Sequence, residues 1–273
     1  MQAPAKPLTY GRYIRTAELL RLQQRLSDAH DELQFIVVHQ VFELWFRLMI
    51  FELESVRGAL VRGDLPTAAR LLRRATEIAR ALLVGFDVIE TMRPWDFLEF
   101  RSQLKPASGF QSRQFREIEF LSGAKDPRYL ASFEREPEDL AALRRRLGEP
   151  TVWDAFIELL RGRGLPTDDD AQIRQTLIRI HKDPSLADLY ELSEAMIAYD
   201  EMFALWRRRH VLMVERMIGA RPGTGQADVQ KTIGEQASDE PAYFTGVGYL
   251  HETLSKKFFP LLWETRTFVE RDA

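Results

Sequence analysis

The sequence predicts an all-α protein, and three observations support this fold class. Apolar residues recur at helical rather than strand spacing over long stretches of the chain. Proline and glycine stand at the ends of these stretches, where they start and stop helices. The 273 residues are 45% hydrophobic and 29% charged, which is typical of a soluble protein with a large core. We therefore expect residues 1–273 to form one domain of long packed helices.

The first part of the chain is predicted to contain three long helices and a short one. The first, an amphipathic helix, should run from about Arg12 to Leu26. The second should run from about His30 to Val61, before Gly63. A third is expected from near Pro66 to Arg93, and a short turn-helix, PWDFLEFRSQL, opens at Pro94.

Shorter helices and one further long helix are predicted in the remainder. The helix RQFREIEFL should end at Gly123. Helices at about 137–147 and 151–161 are expected within a small helical insertion near 125–165. The long helix should run from Ser185 to Ile218. The segment 223–248 breaks the helical period with Gly, Gln, Asp, Ser and Glu and is predicted to be a loop.

Composition argues against several classes of partner. The formal net charge of -3 gives no reason to expect nucleic acid, and the arginine runs 144–146 and 207–209 fit solvated or ion-paired helix faces. The absence of cysteine excludes disulfides, thiolate metal sites and cysteine nucleophiles. No N-terminal stretch resembles a signal peptide, so a cytoplasmic location is expected. Glu43 and Arg47 near the middle of the second helix argue against a membrane span.

Polar residues interrupt the apolar helix Asp31 to Phe51. Phe35, His39 and Glu43 are four residues apart and share one face, and Glu43 and Arg47 are in the order that favours an ion pair. One interpretation of His39 is a core histidine bonded to a backbone carbonyl. The other is that this face forms the wall of a pocket.

The five histidines lack the spacing of a local metal motif, because neither HxxxH nor HExxH occurs. A haem needs only one axial histidine, and His39 and His210 are candidates because each lies on a long helix. His210 shares a face with Trp206, Met213 and Met217, which suits a porphyrin edge but equally an ordinary core. Structural or surface roles are expected for the other three, at positions 30, 181 and 251.

Seven segments, in the family's order along the chain, give the chain a resemblance to the tryptophan 2,3-dioxygenase family. They are LTYGRYI at 8–14, HDELQFIVVHQVFELWF at 30–46, FDVIETM at 86–92, DFLEFRSQLKPASGFQSRQFREIEFL at 96–121, LWRRRH at 205–210 with IGARPGTG at 218–225, and TGVGYL at 245–250. The resemblance implies an all-α enzyme with b-type haem, usually a homotetramer. It would insert both atoms of dioxygen across the indole C2–C3 bond of L-tryptophan and form N-formylkynurenine.

The resemblance also implies roles for individual residues. His210 would be the proximal ligand of the haem iron, and His39 the distal histidine that contacts the indole N–H. Phe35 and Phe97 would wall the indole, and Arg101 would hold the substrate carboxylate. Phe97 and Arg101 are four residues apart, so a helical turn would present an aromatic wall and a guanidinium fork together. Without the family match, an ion pair of Arg101 with Glu99 or Asp96 would explain it equally well.

The family match assigns four more residues. Ser108 would lie beside the haem, although Ser108 and the following glycine could simply form a turn. Thr224, between two glycines, would grip the amino-acid end of the substrate, or could be an ordinary loop residue. Tyr10 and Tyr13, in an N-terminal arm of residues 1–14, would complete the pocket of a neighbouring subunit, or could pack within one chain.

One segment departs from the family's pattern. The family's glycine-rich GTGGSSG run is continuous, whereas here QADVQKTIGEQASDEPAYF at 226–244 separates GTG from TGVGYL. The insertion falls in the loop expected to close over the substrate. It therefore leaves two alternatives to tryptophan dioxygenation: a related haem oxygenase that acts on a substituted tryptophan or inserts one oxygen atom in a natural-product pathway, and a non-catalytic haem-binding helical protein.

Overall fold

The computed structural model describes residues 7–219, 221, 223–224, 250–251 and 253–270, and within them the chain is helical and contains no β-strand. The predicted all-α class is therefore confirmed. Gly225 and the predicted insertion at 226–244 lie outside the described residues. The α-helices in the described ranges are α1 (Tyr10–Tyr13), α2 (Thr16–Leu19), α3 (Glu32–Val61), α4 (Leu65–Ile89), α5 (Pro94–Arg101), α6 (Arg113–Ser122), α7 (Pro137–Gly148), α8 (Val152–Gly162), α9 (Asp170–Lys182), α10 (Ala187–Ile218) and α11 (Pro260–Thr265).

The centre of the fold is the long helix α4, which packs against both α3 and α10. Buried residues of α3 recur at intervals of three and four, at positions 42, 46, 49, 53, 56 and 60. This spacing places them on one stripe of the helix, so that α3 turns a continuous apolar face toward its neighbours. The same helix also contacts α6 and α8, while α10 contacts α5, α9 and α11.

The contact between α3 and α4 is close at Gly85. A Cβ atom at this position would lie 2.3 Å from Cε1 of Phe42, far inside van der Waals distance. The glycine therefore makes room for the Phe42 ring between the two helices. The ring of Phe86, the next residue along α4, lies 5.5 Å from that of Phe42, edge to face.

Helix starts and ends follow local side-chain chemistry. The Asp64 carboxylate accepts a hydrogen bond from the Thr67 N–H at the start of α4, where Pro66 also stands. Gly63, with φ of +71°, allows the reversal between α3 and α4. These signals explain why the predicted bounds of the second and third helices agree with α3 and α4 to within a few residues.

The prediction of one helix from Arg12 to Leu26 is wrong. This segment instead forms the two short helices α1 and α2, followed by irregular chain up to residue 30. Its leucines at positions 20, 22 and 26 are exposed. Because most helical stability in proteins comes from packing an apolar face, an amphipathic pattern without a packing surface in the same chain is not enough. Helix α9 lies in a segment for which the sequence predicted no helix range.

Helix α3 is long and apolar enough by length and composition to cross a membrane, the one such helix in the described part of the chain. Its packing indicates a different role. Phe46, Met49 and Leu53 are buried against neighbouring helices, and buried Glu52 forms an ion pair with Arg74 of α4 at 2.8 Å. One face of α3 therefore packs into the helix bundle, while apolar residues on its outer face are exposed.

The C-terminal segment is fixed to α10 by the fully buried Asp200. Its carboxylate accepts hydrogen bonds from the backbone N–H groups of Phe258 and Phe259 and from the indole N–H of Trp263, at 2.9 to 3.1 Å. A second, smaller hydrophobic cluster consists of Phe110, Phe120, Tyr129, Phe133 and Leu143. This cluster places residues of the predicted helical insertion near 125–165 next to the cavity described below.

Candidate functional site

A cavity of about 290 Å³ lies between α3, α4, α5, α6 and α10, and one side of it is lined by the segment 105–112, which we call the cavity loop. Its lining is mostly aromatic and aliphatic, with few charged groups. The lining residues that the sequence had singled out are Phe35, His39, Phe97, Arg101, Ser108, Trp206, His210, Met213, Met217 and Thr224. Helical spacing explains why the lining residues that belong to one helix, α3, α5 or α10, face the cavity together.

His39 lies on the α3 wall with one ring nitrogen already engaged. Its Nδ1 is 2.7 Å from the backbone oxygen of Phe35, one turn earlier. A carbonyl oxygen only accepts hydrogen bonds, so Nδ1 carries the proton and the neutral ring keeps Nε2 as an acceptor. Burial lowers the pKa of His39 below its ordinary value, although the Phe35 carbonyl and Glu43 act in the opposite direction. Both features considered for His39 are therefore observed together, because the residue bonds to a backbone carbonyl and also lines a pocket.

His210 lies on the α10 wall of the same cavity. Its ring stacks on those of Trp206 and Phe86, with centroids 5.2 Å and 5.6 Å away. Burial of the imidazole, with a smaller contribution from His39, lowers the pKa of His210 to about 4. Within the described part of the chain its nitrogens form no hydrogen bond. The His210 imidazole is neutral, is held between aromatic rings and makes no hydrogen bond to the described residues. Such an imidazole is suited to bind a metal ion from the cavity side.

Ion pairs on α10 fix the turn that carries His210. The guanidinium of Arg209 pairs with Glu90 and, at 2.7 Å, with Asp87, both at the C-terminal end of α4. Arg216 reaches Glu90 as well, at 3.1 Å. Within the arginine run at 207–209, Arg209 is therefore ion-paired with α4, as the sequence suggested, whereas Arg207 is buried and pairs with Glu119 of α6. These bonds hold the α10 register against α4.

Phe35 and Phe97 form an aromatic wall near the α5 end of the cavity. Their rings are stacked with centroids 5.6 Å apart, and Phe100 packs edge to face against both. Arg101 follows on the same face and lines the cavity half-buried. Burial lowers the pKa of Arg101, and the nearby Arg221 adds to this effect. A guanidinium stays charged nevertheless, so this end of the cavity attracts an anionic group.

The alternative ion pair of Arg101 with Asp96 is not formed. Asp96 instead pairs with Arg93, whose guanidinium makes two hydrogen bonds of 2.7 Å to the carboxylate. The bidentate geometry commits that carboxylate to its own helical turn. The position of Arg101 at the cavity is thus not explained by Asp96.

The cavity loop is held by a set of hydrogen bonds. The Ser108 hydroxyl accepts from the Phe110 N–H at 3.2 Å, and the Gln111 side chain accepts from the Ser108 N–H at 3.2 Å, forming a capping box. The Thr224 hydroxyl donates to the Ala107 carbonyl at 2.6 Å. Ser108 and Thr224 therefore meet at one edge of the cavity, although they are distant in sequence.

Glu43 faces the cavity but does not form the ion pair with Arg47 that its spacing predicted. Its carboxylate accepts from the Ser112 hydroxyl at 2.6 Å and from the Gln114 amide at 2.7 Å. The Arg47 side chain is exposed to solvent. The prediction was wrong because two neutral donors on α6 and its N-terminus reach the carboxylate from across the cavity.

A charged cluster at the opposite end of the cavity was not predicted. Arg116 and Arg207 are both buried and pair with Glu119 at 2.5 Å and 3.3 Å. The Arg116 guanidinium also lies 4.0 Å from the ring centroid of Tyr129. The signal in the sequence was the i, i+3 pair of Arg116 and Glu119 among aromatic residues, which a solvated helix face shows equally. The cluster adds positive charge to an otherwise apolar cavity.

Tyr10 and Tyr13 lie outside this cavity. Each is exposed, to 78% and 74%, on the N-terminal helix α1. An aromatic contact within the described part of the same chain is therefore not observed for either. Their place agrees with an arm that reaches beyond its own cavity.

These features define a class of protein: an all-helical protein with an apolar, histidine-bearing cavity built for a flat, buried group. A sequence model of the tryptophan 2,3-dioxygenase family matches residues 2–167 and 162–269. A protein named tryptophan 2,3-dioxygenase from Nocardioides sp. is 46% identical over 268 residues, covering 95% of this chain and 94% of that protein. Proteins of the same name are 38% identical over 277 residues in Caulobacter vibrioides (96% of this chain, 99% of that protein) and 35% over 274 residues in Bacillus thuringiensis (95% and 92%). The chain belongs to the tryptophan 2,3-dioxygenase family.

The family is haem-dependent and uses dioxygen, and the cavity fits that cofactor. The imidazole of His210 supplies a nitrogen ligand of the kind that haem iron takes. The indole N–H of Trp206 is buried with no hydrogen-bond partner in the described residues. An apolar lining with arginine at both ends suits a group that is flat and hydrophobic but carries carboxylates. Among the described positions, no three His, Asp or Glu residues converge to bind a separate metal ion.

Proposed function

We propose that this chain catalyses the haem-dependent insertion of both atoms of dioxygen across the indole C2–C3 bond of L-tryptophan. The product is N-formylkynurenine, as in the kynurenine pathway. One observation carries the proposal: a single cavity brings together two histidines, an aromatic wall and an arginine. The names of the relatives agree with this reaction.

The protein's contribution is to bind and orient the substrate. Arg101 pairs with its carboxylate, while Phe35 and Phe97 enclose the indole ring. The Nε2 acceptor of His39 receives the hydrogen bond from the indole N–H, because its Nδ1 proton is committed to the Phe35 carbonyl. His39 is thus an orienting partner and need not remove a proton. Such orientation brings the reacting atoms into register, an effect that is worth several orders of magnitude in rate.

The cofactor is assigned to the α10 side of the cavity. His210 would hold the haem iron, Trp206 packs against the His210 ring, and Ser108 would lie beside the haem. When bound, the ferrous haem supplies the activation of dioxygen. Thr224, at the same edge as Ser108, grips the amino-acid end of the substrate.

The alternative haem oxygenase for a substituted tryptophan or single-oxygen insertion is not favoured. The insertion at 226–244 was the only reason to consider this alternative. Against it, a relative that is 46% identical over 95% of the chain carries the name tryptophan 2,3-dioxygenase. A non-catalytic haem-binding protein has even less support, since it would not need Arg101 beside an aromatic wall.

We further infer a homotetramer in which the N-terminal arm, residues 1–14, reaches a neighbouring subunit. The exposed Tyr10 and Tyr13 would then complete that subunit's pocket. An outward stripe of exposed apolar residues on α3 supports assembly with other copies of the chain: Leu33, Val37, Val41, Leu44 and Phe51. A mass of four chains by light scattering is the expected result. We also infer a single domain over residues 1–273, with residues 223–248 as its loop, and a soluble cytoplasmic enzyme.

The test of the reaction uses haem-loaded, reduced protein mixed with L-tryptophan without oxygen and then exposed to labelled dioxygen. Mass spectrometry should show a product heavier than tryptophan by two labelled oxygen atoms. A gain of one oxygen atom would support the alternative oxygenase. Protein that binds no haem, and is therefore colourless, would contradict both enzyme functions.

A further inference from the structure

Glu43 is an acidic side chain in the cavity wall that the roles above leave unused. It lies one helical turn after His39 on α3, so both side chains face the cavity. Its carboxylate is half-buried and, among the described residues, is bound by neutral donors rather than by a cation. An acidic group kept at this depth without an ion pair indicates that its hydrogen bonds matter.

Three hydrogen bonds tie Glu43 to the start of α6. The Ser112 hydroxyl donates to Oε1 at 2.6 Å, and the Gln114 amide donates to Oε2 at 2.7 Å and to the Glu43 backbone carbonyl at 2.9 Å. Ser112 is also the N-cap of α6, because its hydroxyl oxygen accepts from the Phe115 N–H at 3.2 Å. Glu43 thus holds the residue at which the cavity loop ends and α6 begins.

The same loop carries the residues at the substrate edge of the cavity. The Ser112 N–H donates to the Gly109 carbonyl at 3.1 Å, which leads directly to the capping box of Ser108. At the other end of the loop, the Ala107 carbonyl accepts from Thr224 at 2.6 Å. A continuous series of bonds therefore runs from α3 through the cavity loop to Thr224.

We propose that Glu43 is a positioning residue. It fixes the cavity loop against α3 and so sets the positions of Ser108 and Thr224 relative to His39. This inference rests on the proposed function, because it assigns Thr224 to the amino-acid end of the substrate. Glu43 acts through its neighbours and touches neither the reacting atoms nor the indole. Its loss should affect the recognition of the amino-acid group more than that of the indole ring.

The first variant is Glu43→Ala, measured in the haem-loaded enzyme. Removing both acceptors should raise KM and the dissociation constant for L-tryptophan about tenfold, because bonds to a charged group are lost. Changes in kcat should be smaller, and haem content and the ferrous spectrum should match those of the parent. Binding of 3-methylindole, which lacks the amino-acid group, should change little. Glu43→Gln keeps one carbonyl acceptor and should restore part of the affinity.

Glu52→Ala is the matched control on the same helix. Glu52 is buried and ion-paired with Arg74 outside the cavity, so its loss destabilises α3 without touching the cavity loop. This control should lower the stability while KM for L-tryptophan stays at the parent value. If Glu52→Ala raised KM as much as Glu43→Ala, destabilisation alone would explain the effect and the positioning role would be refuted.

A double variant tests the route of the effect. Glu43→Ala combined with Ser112→Ala should weaken tryptophan binding by less than the sum of the two single variants, because each single change already breaks the bond between Glu43 and Ser112. Additive losses would overturn the proposed route through Ser112. Binding is followed by the haem absorbance change, so this test does not depend on turnover. A parent enzyme that binds tryptophan but forms no N-formylkynurenine would refute the proposed function, whereas a Glu43→Ala variant with parental tryptophan affinity would refute this inference alone.

Discussion

Gly85 offers a direct test of how the helix packing shapes the cavity. In Gly85→Ala, the new methyl group would lie 2.3 Å from Cε1 and 2.6 Å from Cζ of Phe42, and 3.3 Å from Cγ1 of Val38. Favourable carbon–carbon contacts need about 3.5 to 4.0 Å, so the Phe42 ring must shift by roughly 1 Å or more. The rings of Phe46 and Phe86 already pack around Phe42, whereas the cavity is open beside it. The ring is therefore expected to move into the cavity, toward His39.

The expected cost has two opposing parts. Overpacking a core typically costs about 1–3 kcal/mol. Replacing a mid-helix glycine by alanine raises the folding stability by roughly 0.5–1 kcal/mol, because the unfolded chain loses backbone entropy. The net loss of folding stability should therefore be about 1 kcal/mol, a modest change. The loss of haem affinity should be the larger effect, because the displaced ring occupies cavity space next to His39.

Two measurements distinguish these effects. Haem titration followed by absorbance gives the affinity, and urea unfolding of the haem-free protein gives the free energy of unfolding. Gly162→Ala is the control, because a Cβ on this α8 residue would meet no atom within 4 Å. It should leave haem affinity unchanged and stability equal or slightly higher. Parental haem affinity and stability in Gly85→Ala would refute the proposed close contact.

Four further outcomes are expected. His210→Ala should abolish stable haem binding, and a normal five-coordinate ferrous spectrum in this variant would contradict the proximal assignment. Arg101→Ala should raise KM for L-tryptophan about tenfold or more with haem content unchanged, since a bidentate charged bond is lost; an unchanged KM would place the carboxylate elsewhere. Asp200→Asn should lower the free energy of unfolding by about 3 kcal/mol in urea titrations, because its amide cannot accept from all the buried N–H groups that the carboxylate binds. Haem-free protein should lose stability as the pH falls from about 6.5 to about 4, because the unfolded chain binds a proton at His210 that the folded state, in which the pKa of His210 is about 4, does not bind. The slope of the free energy of unfolding against pH should approach about 1.4 kcal/mol per pH unit, and His210→Ala should show a shallower slope.

The long helices were predictable because several signals agreed at each of them. In α4, the cap at Asp64, a proline in the first turn and a long apolar period all indicate the same helix. The segment from Arg12 to Leu26 had the period alone. Its leucines are exposed in the single chain, so the surface that would stabilise a helix there is absent from the described residues.

Within the cavity, the sequence could predict which residues share a helix face but not which residues meet across helices. Trp206 and His210 are four apart on α10 and stack at 5.2 Å, as their spacing indicates. Glu43 and Arg47 have the same spacing, yet Glu43 bonds to Ser112, which is 69 positions away. A local preference of a few tenths of a kcal/mol for an i, i+4 pair is weaker than hydrogen bonds to a charged group. Charged side chains in a cavity wall are thus the ones whose partners are set by the tertiary fold.

Thr224 illustrates the same point where the sequence gave most reason for doubt. The insertion at 226–244 interrupts a run that is continuous in the family, and adjacency in the chain would suggest that Thr224 is displaced. Its hydroxyl is instead bonded to the Ala107 carbonyl, 117 positions earlier, at 2.6 Å. The cavity loop that provides this carbonyl is itself bonded to α3 through Ser112 and Glu43. The place of Thr224 at the cavity edge is therefore supported by residues that precede the insertion, which is why an insertion after Thr224 is compatible with its place at the cavity.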